Sequence, residues 1–328
     1  MYVVTGGAGF IGSNIVHGLE SAGLGPIAVA DRLDAPEKRL NISKRRDVQV
    51  VQPEDLLDFL ADVGNALKAV IHMGAISATT ETRLVRIIKQ NVILSRRLWA
   101  HCAALGVPLI YASSAATYGG GAEGFDDDNA IPALTALKPL NLYGWSKKTF
   151  DIWVAEQAAV GAPLPPQWVG LKFFNVYGPN EYHKGRMQSV ARQVFDKAKR
   201  GDACTLFKSH NPDYPDGGQM RDFVWVGDCT ALVMWLLENP GVSGIYNCGA
   251  GKARSFRDLA AAVYCALGME PKIDFVPTPE DIRDKYQYFT EAPMDRTRAQ
   301  GFTRPTTALE DGVGTYVRDF LATDDPYI

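Results

Sequence analysis

Tyr143 and Lys147 stand four residues apart, the spacing that puts two side chains on one face of a helix. An ammonium beside a phenol lowers the phenol's pKa from about 10, so that the tyrosine can accept and return a proton near neutral pH. Twenty-nine residues before Tyr143, Ser114 closes an apolar run that starts at Pro108. A serine at the C-terminal end of a parallel strand lies on the edge where open α/β sheets bind ligands. Its hydroxyl can there share the hydrogen bond of a substrate alcohol. Together the three predict oxidation and reduction of an alcohol, provided that another group carries the hydride.

The N-terminus predicts that carrier. Thr5-Gly6-Gly7-Ala8-Gly9-Phe10-Ile11-Gly12 follows the apolar run Tyr2–Val4 and opens a helical pattern. Gly6, Gly9 and Gly12 satisfy one dinucleotide fingerprint, and Gly7, Gly9 and Gly12 another. Such glycines permit a tight turn and let the backbone approach a pyrophosphate seated on the helix N-terminus. Asp31 ends the second apolar run nineteen residues beyond Gly12, where a carboxylate bonds adenosine ribose hydroxyls. Arg32, Lys38, Arg39, Lys44, Arg45 and Arg46 then place six cations in fifteen residues. They read either as a solvated loop balanced by Asp34, Glu37 and Asp47, or as a clamp in which Arg32 and Lys38 hold a 2′-phosphate. Asp31 favours NAD and the cations favour NADP. The preferred reading is NADP, with NAD open.

These residues must be positioned by alternating strands and helices. Strand-like runs fall at Tyr2–Val4, Ile27–Ala30, Val48–Val51, Ala69–His72, Pro108–Ala112 and Trp168–Phe174. Helical stretches lie near Ile11–Ala22, Glu54–Ala61, Thr82–Leu105 and Tyr143–Val160. Short apolar strands separated by helices predict βαβ units and a parallel sheet buried on both faces. The predicted fold is therefore α/β, a doubly wound (Rossmann) sheet with a smaller C-terminal substrate-binding lobe. Residues 1–174 are expected to form the dinucleotide-binding domain, joined by 222–248, and 175–328 mainly the lobe. Within the latter, a strand is read at Phe223–Val226, a helix at Gly227–Glu238, a strand at Ile245–Cys248 and a helix at Ser255–Leu267. The Pro- and Gly-rich stretch Asn211–Gly218 forbids regular structure.

Composition removes other classes. With 34 Lys+Arg against 37 Asp+Glu, the net charge of −3 gives no bulk attraction to nucleic acid. No apolar run approaches the roughly 18 residues of a membrane span, and MYVVTGGAGF has no signal-peptide character, so a cytoplasmic protein is expected. Cys102, Cys204, Cys229, Cys248 and Cys265 are scattered and read as small buried hydrophobes. No two histidines have metal-ligand spacing, so no metal site is expected. Asp126-Asp127-Asp128 reads as a solvated loop run, His72 as a satisfied core residue and His183 as a loop residue assisting phosphate binding.

The constellation resembles the extended short-chain dehydrogenase/reductase superfamily over nearly the whole chain. Within it the similarity is to the ADP-heptose 6-epimerases, carried by TGGAGFIGSNIV from Thr5, YASSAATYGG from Tyr111, KPLNLYGWSK from Lys138, FFNVYGPNEYHKGRMQSVA from Phe173, RDFVWVGD from Arg221 and KYQYFTEA from Lys285. The resemblance implies an NADP-dependent epimerase that inverts C6 of the heptose in an ADP-sugar through a keto intermediate. It makes Tyr143 and Lys184 the two proton-transfer bases, has Ser114 orient the reacting hydroxyl, and has Lys147 hold the nicotinamide ribose. Phe10, Ile11, Asp31, Arg32, Lys38, Met73, Gly74, Ala75, Ile76, Ser77, Asn91, Val176 and Lys184 are implied to line the dinucleotide. Ser114, Asn175, Arg186, Gln193, Phe207, Arg221 and Tyr286 are implied to contact the ADP-sugar. A homo-oligomer, a pentamer, is implied as well.

Several positions depart from the family pattern. Pro53 replaces a second adenosine-side lysine, Arg186 a small hydroxyl residue and Gln193 a histidine, and Lys208–Gln219 is long. Dehydration on the same fold commonly needs an Asp-Glu pair after the strand-end serine, where this chain has Ala115-Ala116. A non-enzymatic dinucleotide sensor would be expected to lose Tyr143 or Lys147, and both are present.

Overall fold

A computed structural model describes residues 1–283 and 286–328, so Lys285, which opens the KYQYFTEA segment, lies outside the described residues. In chain order the first half runs β1 (Tyr2–Thr5), α1 (Phe10–Ser21), β2 (Ile27–Ala30), α2 (Pro36–Ile42), β3 (Val48–Val51), α3 (Leu56–Val63), β4 (Ala69–His72), α4 (Leu84–Ile87) and α5 (Leu94–Leu105). It continues with β5 (Leu109–Ser114), α6 (Ile131–Ala136), α7 (Leu142–Ala159) and β6 (Trp168–Phe173). The second half holds β7 (Asn175–Tyr177), α8 (Val190–Lys199), β8 (Cys204–Phe207), β9 (Met220–Trp225), α9 (Val226–Glu238), β10 (Gly244–Cys248), β11 (Ala253–Ser255), α10 (Phe256–Ala266) and β12 (Ile273–Val276).

The seven-stranded sheet has the order β10-β6-β5-β4-β1-β2-β3, and its neighbours pair in parallel. The order reverses beside β1, which places a crevice at the carboxyl ends of β1 and β4. Buried aliphatic residues of the central strands pack against α1 and α9 on one face and against α3, α5 and α7 on the other. A separate cluster built on Val194, Phe195, Val263 and Tyr316 forms the core of the smaller lobe. There β11, β9 and β7 make a three-stranded sheet, and β12 pairs with β8. The segment 222–248 is therefore shared. Its first strand belongs to the small sheet, while β10 returns to the edge of the large one.

Some expectations need correction. The long helix read over Thr82–Leu105 is broken by a wider π turn at Ile88–Ile93. The turn encloses Asn91, whose side chain is drawn inward to Ile76 and Ser146. Asp127 is not solvated: it is 2% exposed and accepts the N–H of Asn247 at 2.8 Å, while Asp126 and Asp128 are exposed. Cys265 is exposed, whereas the other four cysteines are buried. The helix α8 went unread although Ala191, Val194, Phe195 and Ala198 mark its buried face at helical spacing.

Candidate active site

The glycine turn is built by close packing. A Cβ on Gly12 would lie 2.1 Å from the carbonyl oxygen of Gly6, and one on Gly6, at φ +63°, 2.7 Å from Gly74. Only hydrogen fits there. Gly12→Ala is expected to cost about 1–3 kcal/mol by overpacking, seen as a lower melting temperature together with weakened dinucleotide binding. No side chain caps α1 at Gly9, which leaves its first-turn N–H groups available to an anion. Thr5 Oγ1 accepts the N–H of Gly74 at 3.0 Å and is 2.6 Å from His72 Nδ1, whose Nε2 is 2.9 Å from Ser95 Oγ. His72 is thus the satisfied core residue expected, and burial holds its pKa down at about 3.

A cleft of about 740 Å³ opens above this turn. Gly6, Gly9, Phe10, Ile11, Gly12, Asp31 and Lys38 line one end, and Met73 to Ser77 the middle. Ser114, Tyr143, Lys147, Val176 and Lys184 line the same cleft. Asn141 caps α7 by accepting the N–H of Gly144 at 2.9 Å, which fixes the helix start two residues before Tyr143. Asn91 lies behind the wall, fully buried. It accepts the N–H of Ile76 at 2.8 Å and donates to Ser146 Oγ at 3.0 Å, so it ties the 73–77 loop to α7. An uncapped helix N-terminus, a glycine turn with no room for a side chain, and a polar cleft of this size fit a dinucleotide.

The electrostatics differ from expectation in two places. The Tyr143 phenol is raised rather than lowered: burial outweighs the hydrogen bond with Ser114, and Asp151 adds to the rise. Lys147 is itself lowered to about 8 by burial, with Asp151 opposing. At the adenosine end, Arg32 pairs with exposed Glu54 and does not line the cleft. Lys38 instead bonds Asp31 at 2.9 Å, and the remaining acceptor sites of Asp31 take the N–H groups of Ala8 and Arg32 at 3.0 and 2.7 Å. The carboxylate is therefore neutralised and occupied by its own chain.

Lys184 sits on the turn Tyr182–Met187, its ammonium 5.2 Å over the Phe10 ring. Burial lowers its pKa, opposed by Glu181. Glu181 is fully buried and accepts from the Ser189 and Tyr316 hydroxyls at 2.6 and 2.9 Å. The turn is pinned by Asn180, which is left-handed (φ +73°), donates to Ser13 Oγ at 2.9 Å and accepts from Asn41 at 3.0 Å. Asn180 went unread, because its partners come from α1 and α2. His183 lines the cleft beside Lys38, and burial pushes its pKa down to about 4, so it is neutral there.

The residues expected at the sugar nucleotide do not all meet at this cleft. Gln193, Phe207 and Tyr286 line a second cavity of about 330 Å³ in the lobe, together with Gln219 and Phe256. Arg221 is buried between the rings of Phe256 and Tyr286, 5.5 Å from each. Asn175 and Arg186 are exposed and line neither cavity. Met187, Glu81 and Arg86 line the cleft without having been read from the sequence. Among the described residues no cluster of His, Cys, Asp and Glu could hold a metal ion, and no helix is long and apolar enough to cross a membrane.

A doubly wound sheet, a glycine turn, a strand-end serine and a Tyr–Lys helix face in one cleft define an extended short-chain dehydrogenase/reductase. More particularly, the chain belongs to the NAD dependent epimerase/dehydratase family, whose profile matches residues 2–249. It is 47% identical over 330 residues to the ADP-L-glycero-D-manno-heptose-6-epimerase of Nitratidesulfovibrio vulgaris strain DP4, covering all of both chains. It is 44% identical to the protein of that name from Fusobacterium nucleatum, again over the full length of both. The crystal structure of the Helicobacter pylori ADP-L-glycero-D-manno-heptose-6-epimerase superposes with a TM-score of 0.79 at 25% identity, covering 97% of this chain and 95% of that one. The Thermus thermophilus UDP-glucose 4-epimerase in complex with NAD does so at 0.75 and 27%, covering 95% and 96%.

Proposed function

We propose that the protein inverts C6 of the heptose in ADP-D-glycero-D-manno-heptose. The observation that carries this reading is the meeting, in one cleft, of Ser114, Tyr143 and Lys147 from one side of the sheet with Lys184 from another segment. When bound, a nicotinamide dinucleotide supplies the hydride acceptor and donor for the sugar carbon. Tyr143 takes the proton of the reacting hydroxyl, Ser114 holds that hydroxyl by a hydrogen bond, and Lys147 holds the nicotinamide ribose. The ketone turns over, and Lys184 manages the proton on the other side. The second cavity, with Arg221 as a phosphate fork against Tyr286, receives the ADP portion. We take 1–174 with 222–248 as the cofactor unit and the rest of 175–328 as the sugar-nucleotide lobe. The enzyme is read as a cytoplasmic homo-oligomer, a pentamer.

NADP is the cofactor of this reading. Lys38 cancels the charge of Asp31, which would otherwise repel a 2′-phosphate, so Lys38 and not Arg32 is the cation that serves it. Because net hydride transfer is zero, purified enzyme should convert ADP-D-glycero-D-manno-heptose to its C6 epimer without added dinucleotide. After stripping, activity should return better with NADP than with NAD. Preferential rescue by NAD sinks the phosphate role of Lys38, and absence of epimerisation with either cofactor sinks the proposed reaction.

A further inference from the structure

Beneath the cleft the chain buries charges that the proposed reaction leaves unused. Asp151 lies on α7 one turn beyond Lys147 and two beyond Tyr143, on the same face, and is 1% exposed. Its carboxylate accepts from the Ser113 hydroxyl at 2.6 Å and the Tyr111 hydroxyl at 3.2 Å, and Ser113 immediately precedes Ser114. Lys172 on β6 is fully buried and stands in register with Ser113 on one side and Asn247 on the other. Its ammonium is 4.2 Å from the centre of the Tyr118 ring and has no hydrogen-bond partner, so it acts on Asp151 through space. Behind it Asp127 is buried and is 3.7 Å from Arg296. Charges thus alternate from the surface to the cleft floor: Arg296, Asp127, Lys172, Asp151, Lys147.

We propose that Asp151 is a positioning residue of this site, a buried negative charge kept ionised by Lys172 so that Lys147 and Tyr143 hold the protonation states proton transfer needs. The inference rests on the roles proposed above for those two residues. A dry, unbalanced carboxylate would take up a proton. Burial does push the Asp151 carboxyl up, and Lys172 is the strongest opposing influence, followed by Ser113, Tyr111 and Lys147. Lys147 is faced by Asp151 and, from β4, by His72, which burial keeps neutral. Tyr143 is faced by Ser114 and Asp151. One negative charge therefore raises both members of the Tyr–Lys pair. Neutralising it should lower both together.

The test is the pH dependence of epimerisation by the full chain with its cofactor bound. In wild type the acidic limb reports deprotonation of Tyr143 and the alkaline limb loss of the Lys147 charge. Asp151→Asn should move both limbs to lower pH by about one unit or more. Lys172→Arg should leave them in place. Because Asp151→Asn strands Lys172 in the core, the double variant Asp151→Asn/Lys172→Met is made beside it; removing both buried charges is expected to preserve folding. That variant should show the same displaced limbs. A folded double variant with wild-type limbs, or with a rate lowered evenly at every pH, overturns the proposal and leaves Asp151 a packing residue. Tyr143→Phe, run alongside, separates the failures. If it stays active, the proposed site itself is wrong. If it is inactive and the limbs do not move, only the role of Asp151 falls.

Discussion

Replacing Tyr143 by phenylalanine should lower turnover by roughly 10²–10⁴, the usual range for removing a general acid–base, while the cofactor stays bound. The ring is kept, so the packing at the start of α7 survives, and the capping bond from Gly144 to Asn141 is untouched. What is lost is a titratable oxygen beside Ser114 and on the Lys147 face of the helix. The ammonium of Lys147 matters to the same step. Its pKa of about 8 means that it is charged below that pH and neutral above it, so the wild-type rate should fall as pH rises through 8. The measurement is the epimerisation rate at saturating substrate, with released cofactor assayed after denaturation to show that binding is intact. A Tyr143→Phe enzyme with near-wild-type rate would falsify the whole site assignment.

Lys184→Met should split the two directions of the reaction. Inversion of a carbinol requires its oxygen to give up a proton towards one side of the pocket and regain it towards the other. A base anchored on α7 reaches only about 2.6–3.2 Å and cannot serve both positions. Lys184 enters the cleft from the 182–187 turn, held by Asn180 and Glu181, and burial lowers its pKa towards a useful range for proton exchange. If Lys184 only neutralised a phosphate, its loss would raise KM alike for both epimers. As a base, its loss should suppress cofactor reduction by one epimer far more than by the other in a single turnover. Tyr143→Phe should show the opposite bias. Equal suppression of both epimers in both variants rules out two bases.

The sequence by itself determined the sheet, the glycine turn and the Tyr–Lys pair. Each of these is set by neighbours within a few residues: Gly12 must pack on Gly6, and Tyr143 and Lys147 share a face because they are one helical turn apart. Ser114 was legible for the same reason, since it simply follows the last apolar residue of its strand. What only the tertiary structure decided is where long side chains and charges end. Arg32 left the adenosine end for Glu54, while Lys38, seven residues past Asp31, folded back to neutralise it. Asp127 looked like the middle of a solvated acidic run and is buried against β10, because Asn247, 120 residues away, supplies its N–H. The expected lowering of the Tyr143 pKa failed because proximity to a lysine is read from spacing but burial is not. Likewise nothing local to Asp151 and Lys172 signals that they share one interior. A chain pattern reports which residues are adjacent on an element, whereas charge states depend on what water is excluded by elements far apart in the chain, and that exclusion exists only once the sheet, α7 and the lobe have closed around them.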